Sequence, residues 1–270
     1  MVIALFTDFG TRDAYVAQLK GVILSIHPTA SLLDLTHDVP AFDVRAASYL
    51  LEASGRYFPA GTIFVAVVDP GVGTARHPLL LVTHADKYYL GPDNGLFTRV
   101  IACEGMRAAY VLTHTRYFRS PVSATFHGRD IFGPVAAHLA RGIAPEHVGT
   151  RIHEVIRLPA TEPTRVGETL LGEVIYLDHY GNIATNIPAA MLTALQPGSW
   201  LQLTLLGRTH VLSLVTTYGA GPPDQLLGLI NSNGDFEVAL AGGSAADRLA
   251  VRLGERVRLS CGMDNADLQL

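Results

Sequence analysis

Cysteine, tryptophan and long apolar runs are all scarce in this 270-residue sequence, which contains two cysteines and one tryptophan. Two cysteines, Cys103 and Cys261, form no disulfide framework and favour a reducing compartment. No apolar run approaches the ~20 residues that a membrane helix needs. The first residues also lack the charged and apolar regions of a signal peptide. We therefore expect a cytoplasmic protein with no membrane partner.

A strong excess of charge is missing as well. The chain carries 20 Lys and Arg against 24 Asp and Glu, a net charge of −4 at pH 7. This balance argues against general nucleic-acid binding. Apolar residues make up 49% of the sequence, which is enough for a substantial core in one large or two ordinary domains.

The first part of the chain, residues 1–155, alternates strand-like and helix-like segments. Such alternation predicts an α/β domain with a mainly parallel sheet flanked by helices. The predicted strands are 2–6, 31–35, 62–68, 79–82, 88–90 and 110–112, and the predicted helices are 14–26, 42–57, 96–102 and 131–139, the last with Asp130 as its N-cap.

The pattern changes after residues 156–168, where prolines, a glycine and charges predict a linker. Residues 169–270 contain short strands separated by turns, which predicts a smaller all-β domain, either a small barrel or a sandwich. We expect residues 261–270 to be loosely held and assign them no role. The predicted strands are 170–177, 200–206, 210–216, 226–230, 236–240 and 256–259, and short helices are predicted at 189–195 and 244–249, the second with a capping arrangement of Ser244 and Asp247.

One stretch combines a buried strand with reactive side chains. The β-branched run 62–68 ends at Asp69, and a Pro-Gly turn then leads back to Arg76. In open α/β sheets, ligands bind at the carboxyl ends of the strands. A third group is expected from His127, whose neighbour Gly128 allows close approach of a ligand. An acid, a guanidinium and an imidazole together can hold a water molecule and withdraw charge from it.

Other loops of the first domain allow two interpretations. Asp8 follows the first strand and can accept both hydroxyls of a ribose, but a carboxylate there can also cap the next helix. Asp13 is balanced between the same roles. Phe42, alone, is more typical of a core position, and the turn at Asp93 favours a structural role. The histidines that we interpret as structural are His27, His37, His84, His138 and His179.

Candidates in the second domain also sit in turn-like sequences. Asp178 can bind an ammonium group, Tyr180 can stack on a flat ring and Asn182 can pair with a base edge. The same residues are typical of a hairpin turn, as is the segment 231–234. Glu237 and the segment 242–246 follow, and the backbone amides and hydroxyls there can bind a carboxylate or a purine.

In their order and spacing, these motifs resemble one family along almost the whole chain. It is the S-adenosylmethionine (SAM) hydrolase family, also called SAM hydroxide adenosyltransferases, which is related to fluorinase and chlorinase. The pieces that carry the resemblance are Thr7-Asp8-Phe9-Gly10, Asp69-Pro70-Gly71-Val72-Gly73 with Arg76, Gly91-Pro92-Asp93-Asn94-Gly95, Phe126-His127-Gly128-Arg129-Asp130, Asp178 to Asn182, and Asn231-Ser232 with Gly234.

The resemblance implies an α/β domain followed by a β-barrel-like domain. It also implies a homotrimer that binds SAM between the first domain of one subunit and the second domain of its neighbour. It implies no metal and no cofactor, because SAM is itself the substrate. It implies that Asp8 binds the ribose hydroxyls and that Phe42 packs against the sugar. The methionine portion is implied to contact Asp13, Asp178 and Ser232, and adenine to contact Tyr180 and Asn182. The implied water-activating residues are Asp69, Arg76 and His127, and the substrate site is completed by Phe126, Gly128, Asn233, Glu237 and Ala245.

The implied reaction is displacement at the ribose C5′ by water, giving adenosine and methionine. We expect Arg76 to stabilise developing hydroxide, Asp69 to orient the groups and His127, with a reference pKa of about 6.5, to take the proton. Halide-using relatives favour uncharged residues near Asp69 and Arg76 and carry an arginine where Asn233 stands. Three alternatives stay open: a SAM-dependent halogenase, a metal-dependent hydrolase and a non-catalytic nucleoside-binding or SAM-binding module.

Overall fold

The computed structural model describes residues 1–159, 161–193 and 195–261. The chain divides into two compact units, Met1–Leu158 and Pro159–Leu270. Our expectation for the end of the chain falls mostly on residues 262–270, which lie outside the described residues. Within the described ranges, no helix has the length and apolar character needed to cross a membrane.

The first unit combines a seven-stranded sheet with helices, which confirms the predicted α/β fold. Single turns of 3-10 helix lie at Thr115–Tyr117 and Pro145–His147, and a π-helical turn lies at Gly128–Phe132. The other elements are β1 (Val2–Thr7), α1 (Tyr15–Ile26), β2 (Ser31–Thr36), α2 (Val44–Gly55), β3 (Ile63–Val67), β4 (Pro78–Val82), β5 (Tyr88–Pro92), α3 (Thr98–Glu104), β6 (Ala108–Leu112), α4 (Gly133–Ala140) and β7 (Gly149–Ile152).

The sheet has the strand order β2-β1-β3-β5-β4-β6-β7. Its first four strands are parallel, whereas β4, β6 and β7 add antiparallel pairings. The connection from β4 to β5 spans only residues 83–87, too few for the crossover that a parallel pair requires. In the parallel part, Thr7 pairs with Val67, so the carboxyl ends of β1 and β3 lie side by side.

The sheet is covered on both faces, and β3 is buried along its whole length. Ile63, Val65 and Val67 face a cluster that includes residues of α1 and α4, whereas Phe64 and Ala66 face a cluster that includes residues of α2 and α3. This explains the continuous apolar run of β3, since a strand covered on both faces needs no polar side.

The second unit is a closed barrel, as predicted. Its elements are β8 (Thr164–Val166), β9 (Thr169–Leu177), β10 (Ile183–Pro188), β11 (Trp200–Leu205), β12 (Arg208–Leu214), β13 (Leu226–Ile230), β14 (Asp235–Leu240), α5 (Ala245–Leu249) and β15 (Arg256–Cys261). The seven strands of the barrel follow the order β10-β14-β13-β12-β11-β15-β9, and β9 pairs with β10 to close the ring. Within the predicted helix 189–195 the structure has a 3-10 turn at Ala189–Met191, and another 3-10 turn lies at Tyr218–Ala220.

Two helix caps were predicted from the sequence, and the structure confirms one of them. The Ser244 hydroxyl accepts a hydrogen bond from the Asp247 amide (3.1 Å), which confirms the predicted cap of α5. Asp130, however, does not cap α4, because that helix begins at Gly133 after the π-helical turn. The Asp130 carboxylate is instead fully buried and paired with arginine.

The segment predicted as a linker, residues 156–168, makes hydrogen bonds at its start and at its end. The amide of Ile156 donates to the Asp93 carboxylate (2.9 Å), and the amide of Leu158 donates to the Thr98 hydroxyl (2.8 Å). These bonds tie the start of the segment to the first unit. Its end contributes β8, which pairs with β9. Composition alone did not reveal these contacts.

Candidate active site

The loop after β3 brings Asp69 and Arg76 together. Arg76 Nε donates to Asp69 Oδ1 (3.1 Å), and Arg76 Nη2 donates to Asp69 Oδ2. This two-pronged pairing holds both side chains almost fully buried, at 8% and 4% exposure. The loop needs a glycine at position 73, where φ is +77° and a Cβ would lie 2.3 Å from the Ala124 carbonyl oxygen. The tight approach places the loop against the segment that leads to His127.

His127 completes the group, as the sequence predicted. Its Nδ1 lies 2.8 Å from Arg76 Nη2. A guanidinium can only donate, so Nδ1 must be the unprotonated nitrogen and Nε2 carries the hydrogen of the neutral ring. Burial and the Arg76 charge lower the pKa of His127, while Asp69 and Asp130 oppose this shift. The neutral ring with Nε2–H is therefore the form present at neutral pH.

This arrangement differs from the role we expected for His127. A proton acceptor needs a free lone pair, and the lone pair at Nδ1 already accepts from Arg76. The other nitrogen, Nε2, can donate a hydrogen bond but cannot accept a proton while it carries its hydrogen. In this geometry His127 can donate a hydrogen bond from Nε2 but cannot accept a proton, and of the two residues only Asp69 can accept one.

A pocket of about 570 Å³ opens at this edge of the sheet. Asp69 and His127 line the pocket. Arg76 is not part of the pocket wall, but it is hydrogen-bonded to both of these residues. Its size falls within the range of small-molecule sites, ~300–1,000 Å³. The lining residues are Asp8, Phe9, Tyr15, Gln18, Ala41, Phe42, Val67, Asp69, Val72, Ser123, Thr125, Phe126, His127, Gly128 and Arg129.

Asp8 lies in the pocket wall and holds Phe42 in place. Asp8 Oδ2 accepts a hydrogen bond from the Phe42 amide (2.9 Å). It does not cap α1, because the N-cap position is Ala14 and has no side-chain hydrogen bond. Burial raises the pKa of Asp8, the nearby Asp69 charge adds to the shift, and backbone hydrogen bonds oppose it. The carboxylate faces the pocket, as a ribose-binding group must.

Phe42 adopts a backbone conformation that is unfavourable for a residue with a side chain. Its φ is +66°, and its ring is 71% exposed. The ring therefore gains little from burial while the backbone is strained, a combination typical of functional sites. Helix α2 begins only at Val44, with Asp43 as its N-cap, and not at residue 42 as predicted.

We expect Phe42→Gly to be more stable than Phe42→Ala by about 1 kcal/mol, because only glycine adopts a positive φ without strain. Denaturant unfolding of the two variants measures this difference. Equal stability of the two variants would show that the backbone at position 42 is not strained.

An aromatic cluster forms one side of the pocket. The rings of Phe9, Tyr15 and Phe126 meet edge to face, with centroids 5.4–6.1 Å apart. Gly128 permits this packing, since a Cβ there would lie 3.2 Å from the Phe9 ring. Phe9 and Tyr15 were not among the predicted site residues. Phe9 directly follows Asp8 and Tyr15 is the first residue of α1, so their closeness to Asp8 in the sequence could have identified them.

Besides Arg76, one further predicted residue of the first unit, Asp13, is absent from the wall of this pocket. Asp13 is exposed and lies in the loop before α1. It is not part of the pocket wall, which reaches α1 through Tyr15 and Gln18. Its expected role with the methionine portion of a substrate is therefore not explained by the geometry of the first unit.

In the second unit, Asp178 organises its own turn. Its Oδ1 accepts from the amides of Tyr180 (2.9 Å) and Asn182 (2.8 Å), and its Oδ2 accepts from Asn182 Nδ2 (2.8 Å). The hairpin interpretation of this segment is therefore correct. It still leaves the Tyr180 ring 75% exposed, where it can stack on a flat ligand. Asn182 is buried.

Glu237 lies in a buried polar group beside the turn 231–234. The Tyr218 hydroxyl donates to Glu237 Oε1 (2.8 Å), and Asn231 Nδ2 donates to Oε2 (3.3 Å). Burial raises the pKa of Glu237, the charge of Asp178 adds to the shift, and the two hydrogen bonds oppose it. Both carboxylate oxygens thus bind side chains of this unit, and Glu237 supports the turn.

The remaining predicted residues of this unit differ in exposure. Ser232 is exposed and Asn233 is half-buried in the turn, where the Asn233 amide donates to Asn231 Oδ1 (2.9 Å). Ala245 is fully buried in the barrel core, so its methyl group packs internally and does not contact a ligand. The contact that we expected in the segment 242–246 uses backbone amides and hydroxyls, so for Ala245 it stays a prediction.

Two family models match the chain, and each covers one of the units. The model of the SAM hydroxide adenosyltransferase N-terminal domain matches residues 3–149, and that of the C-terminal domain matches residues 172–258. The chain belongs to the SAM hydroxide adenosyltransferase family. The predicted family resemblance is thereby confirmed.

Relatives in this adenosyltransferase family match over nearly the full length. The chain is 38% identical over 263 residues to the (R)-S-adenosyl-L-methionine hydrolase of Salinispora tropica, covering 96% of this chain and 98% of that protein. It is 32% identical over 268 residues to a fluorinase of an Actinoplanes species, with 88% and 90% coverage. A solved structure of an uncharacterized conserved protein from Thermotoga maritima aligns with a TM-score of 0.93 and 34% identity, covering 96% of this chain and 100% of that one.

In this member of the adenosyltransferase family, the described ranges contain no group of three or more His, Cys, Asp or Glu side chains placed to hold a metal ion. Asp69 and His127, which face the pocket, are both bonded to the Arg76 guanidinium.

Proposed function

We propose that the chain hydrolyses S-adenosyl-L-methionine to adenosine and L-methionine. The observation that carries the proposal is the convergence of Asp69, Arg76 and His127 at a pocket that also contains Asp8. The near full-length similarity to a protein named (R)-S-adenosyl-L-methionine hydrolase supports the choice of substrate.

The chemistry demands little beyond placement of a water molecule. The sulfonium sulfur is already a good leaving group and needs no proton. A water oxygen forms the new bond to C5′ while the C5′–S bond breaks and its electron pair stays on sulfur, so the configuration at C5′ inverts. The proton leaves the water last. Positioning the two reactants can contribute up to roughly 7–11 kcal/mol.

Each of the three residues has a distinct role in this reaction. The Asp69 carboxylate accepts a hydrogen bond from the water and then its proton. His127 donates from Nε2 to the water oxygen and fixes its direction. Arg76 stays charged, holds both residues in place and stabilises the negative charge that develops on the oxygen.

The opposite part of the wall fits the adenosyl group. Asp8 can accept both ribose hydroxyls, and the exposed ring of Phe42 can pack against the sugar. Gly128 leaves space between the aromatic rings and His127, so that a ligand can approach closely. In the proposed complex, C5′ faces Asp69 and His127, which both line the pocket.

A homotrimer with sites between subunits is part of the proposal. In it, Tyr180 and Asn182 of a neighbouring subunit hold adenine, while Asp178 and Ser232 hold the methionine portion. The exposure of Tyr180 and Ser232 supports such a contact. The proposal includes no metal and no cofactor, and a cytoplasmic location in keeping with the low cysteine content. A single-chain mass in solution would contradict the assembly.

Incubation with SAM in 18O-labelled water tests the reaction. We expect label at the 5′-oxygen of adenosine and unlabelled methionine, because water attacks carbon and not sulfur. Mass spectrometry of both products reads this directly. Intact SAM after long incubation would favour a binding module without catalysis, and activity that is lost with EDTA would favour a metal-dependent hydrolase.

A halogenase is the second candidate, because a fluorinase is among the relatives. The pocket argues against it. Asp69 in its wall is an acceptor that binds water but repels a halide ion. Supplying chloride or fluoride with SAM and searching for 5′-halo-5′-deoxyadenosine decides between the two reactions.

A further inference from the structure

The segment 123–129 supplies much of the pocket wall, since Ser123, Thr125, Phe126, His127, Gly128 and Arg129 all line it. It ends in a π-helical turn, a local irregularity that is frequent at functional sites. Within this turn the Asp130 amide donates to the Phe126 carbonyl (3.1 Å). The carboxylate of Asp130 faces away from solvent and is 0% exposed.

Asp130 joins both ends of this segment. Its two oxygens accept from Arg129 Nε (2.8 Å) and Arg129 Nη2 (2.9 Å), and Oδ2 also accepts from the Ser123 amide (2.8 Å). Arg119 Nη1 lies 3.4 Å from Oδ1. Hydrogen bonds and charges of these groups outweigh the burial of Asp130, so its pKa lies below the usual value and it remains ionised.

Arg129 transmits this anchoring to the pocket. Its guanidinium carbon lies 4.9 Å from the Phe126 ring centroid, and its Nη1 donates to Gln18 Oε1 on α1 (2.9 Å). Phe126 in turn contacts Phe9 and Tyr15 edge to face. The buried Asp130 carboxylate thus fixes the side chain of Arg129, and Arg129 in turn fixes Phe126 on the aromatic side of the pocket.

We propose that Asp130 is a positioning residue for the pocket: through Arg129 and Ser123 it holds the segment 123–129 so that His127 meets Arg76 and Phe126 meets Phe9 and Tyr15. Asp130 acts without touching the substrate. The proposal rests on the proposed function for its catalytic consequence, but the positioning itself can be measured without substrate.

Asp130→Asn tests this proposal. We expect kcat to fall about 10²-fold, as for a misplacement of roughly 1 Å in a reacting group, with a smaller change in KM. Arg129→Met, at a partly exposed position, keeps the apolar stem beside Phe126 and should lower kcat in the same direction; it replaces the first variant if that one does not fold. Glu104→Gln is the matched control, because Glu104 is a buried carboxylate paired with Lys87 whose partners do not line the pocket. It should leave kcat unchanged.

The NMR titration of His127 gives a second readout. The charged groups that act on His127 are Arg76, Asp69 and Asp130, with Arg129 and Arg119 beside Asp130. Removing the Asp130 charge should lower the pKa of His127 further and mix its tautomers. Unchanged kcat together with an unchanged His127 titration would overturn the proposal, as would an equal loss of kcat in Glu104→Gln. If the unaltered protein leaves SAM intact, the proposed function fails, and the titration still decides the positioning role.

Discussion

Arg76→Lys is expected to lower turnover by about 10²–10³-fold, although it keeps the positive charge. Arg76 donates to Asp69 through two nitrogens and to His127 through one of them. A lysine ammonium is a point donor on a flexible stem and cannot reproduce this planar fork. Asp69 and His127 would then lose their fixed relation to the water, while SAM should still bind with similar affinity, because Arg76 does not line the pocket.

Single-turnover assays with SAM and calorimetric binding separate these two effects. Arg107→Lys is the matched control, since Arg107 forms an exposed ion pair with Asp86 in the same unit. Exposed pairs contribute little, typically ~0–1 kcal/mol, so this variant should keep normal turnover. Normal turnover in Arg76→Lys would mean that charge alone suffices and that the fork has no role.

The relative positions of Asp8, Asp69 and Arg76 could be predicted from the sequence for a definite physical reason. Parallel strands present their carboxyl ends at one edge, so the residues after β1 and β3 had to meet there. Asp8 and Asp69 do so. The pairing of Arg76 with Asp69 also followed from the short Pro-Gly turn between them. These predictions needed only strand direction and chain length.

Other features depend on contacts and backbone conformations that the sequence pattern does not reveal. Asp130 follows the site motif directly and looked like a helix cap, yet its partners include Ser123 and Arg119, earlier in the chain. Phe42 has a positive φ, which is a conformation typical of glycine, and nothing in the neighbouring sequence indicates it. Strand β10 was missed because it follows a strong turn signal and ends in a proline.

The second unit shows the same division between pattern and contact. Short strands and turns predicted an all-β domain, a barrel or a sandwich, and the family resemblance implied the barrel. The roles of individual polar residues could not be predicted in the same way, because the same residue types occur in turns and in ligand-binding sites. Asp178 and Glu237 bond to side chains or amides of their own unit, which only the folded arrangement reveals.

The series Ala, Asn and Gln at position 127 distinguishes a hydrogen-bond donor from a proton acceptor. We expect His127→Ala to lower turnover by about 10²-fold or more. Asparagine places its amide near the position of Nδ1 and can accept from Arg76, but offers nothing at Nε2. Glutamine reaches as far as Nε2 and can donate there. If His127 is a donor, glutamine should stay within about tenfold of the unaltered protein, and asparagine should resemble alanine.

The pH dependence of turnover makes the same distinction. In acid, Nδ1 of His127 gains a proton and becomes a donor. It can then no longer accept the hydrogen bond from Arg76 Nη2, and this bond breaks. Because burial and Arg76 lower the pKa of His127, activity should persist below pH ~6.5 and fall only at more acid pH. An amide does not titrate in this range, so His127→Gln should lose this acid limb while keeping most of its activity at neutral pH. If His127 were the proton acceptor, all three variants would be equally inactive, since no amide can replace an imidazole as a base.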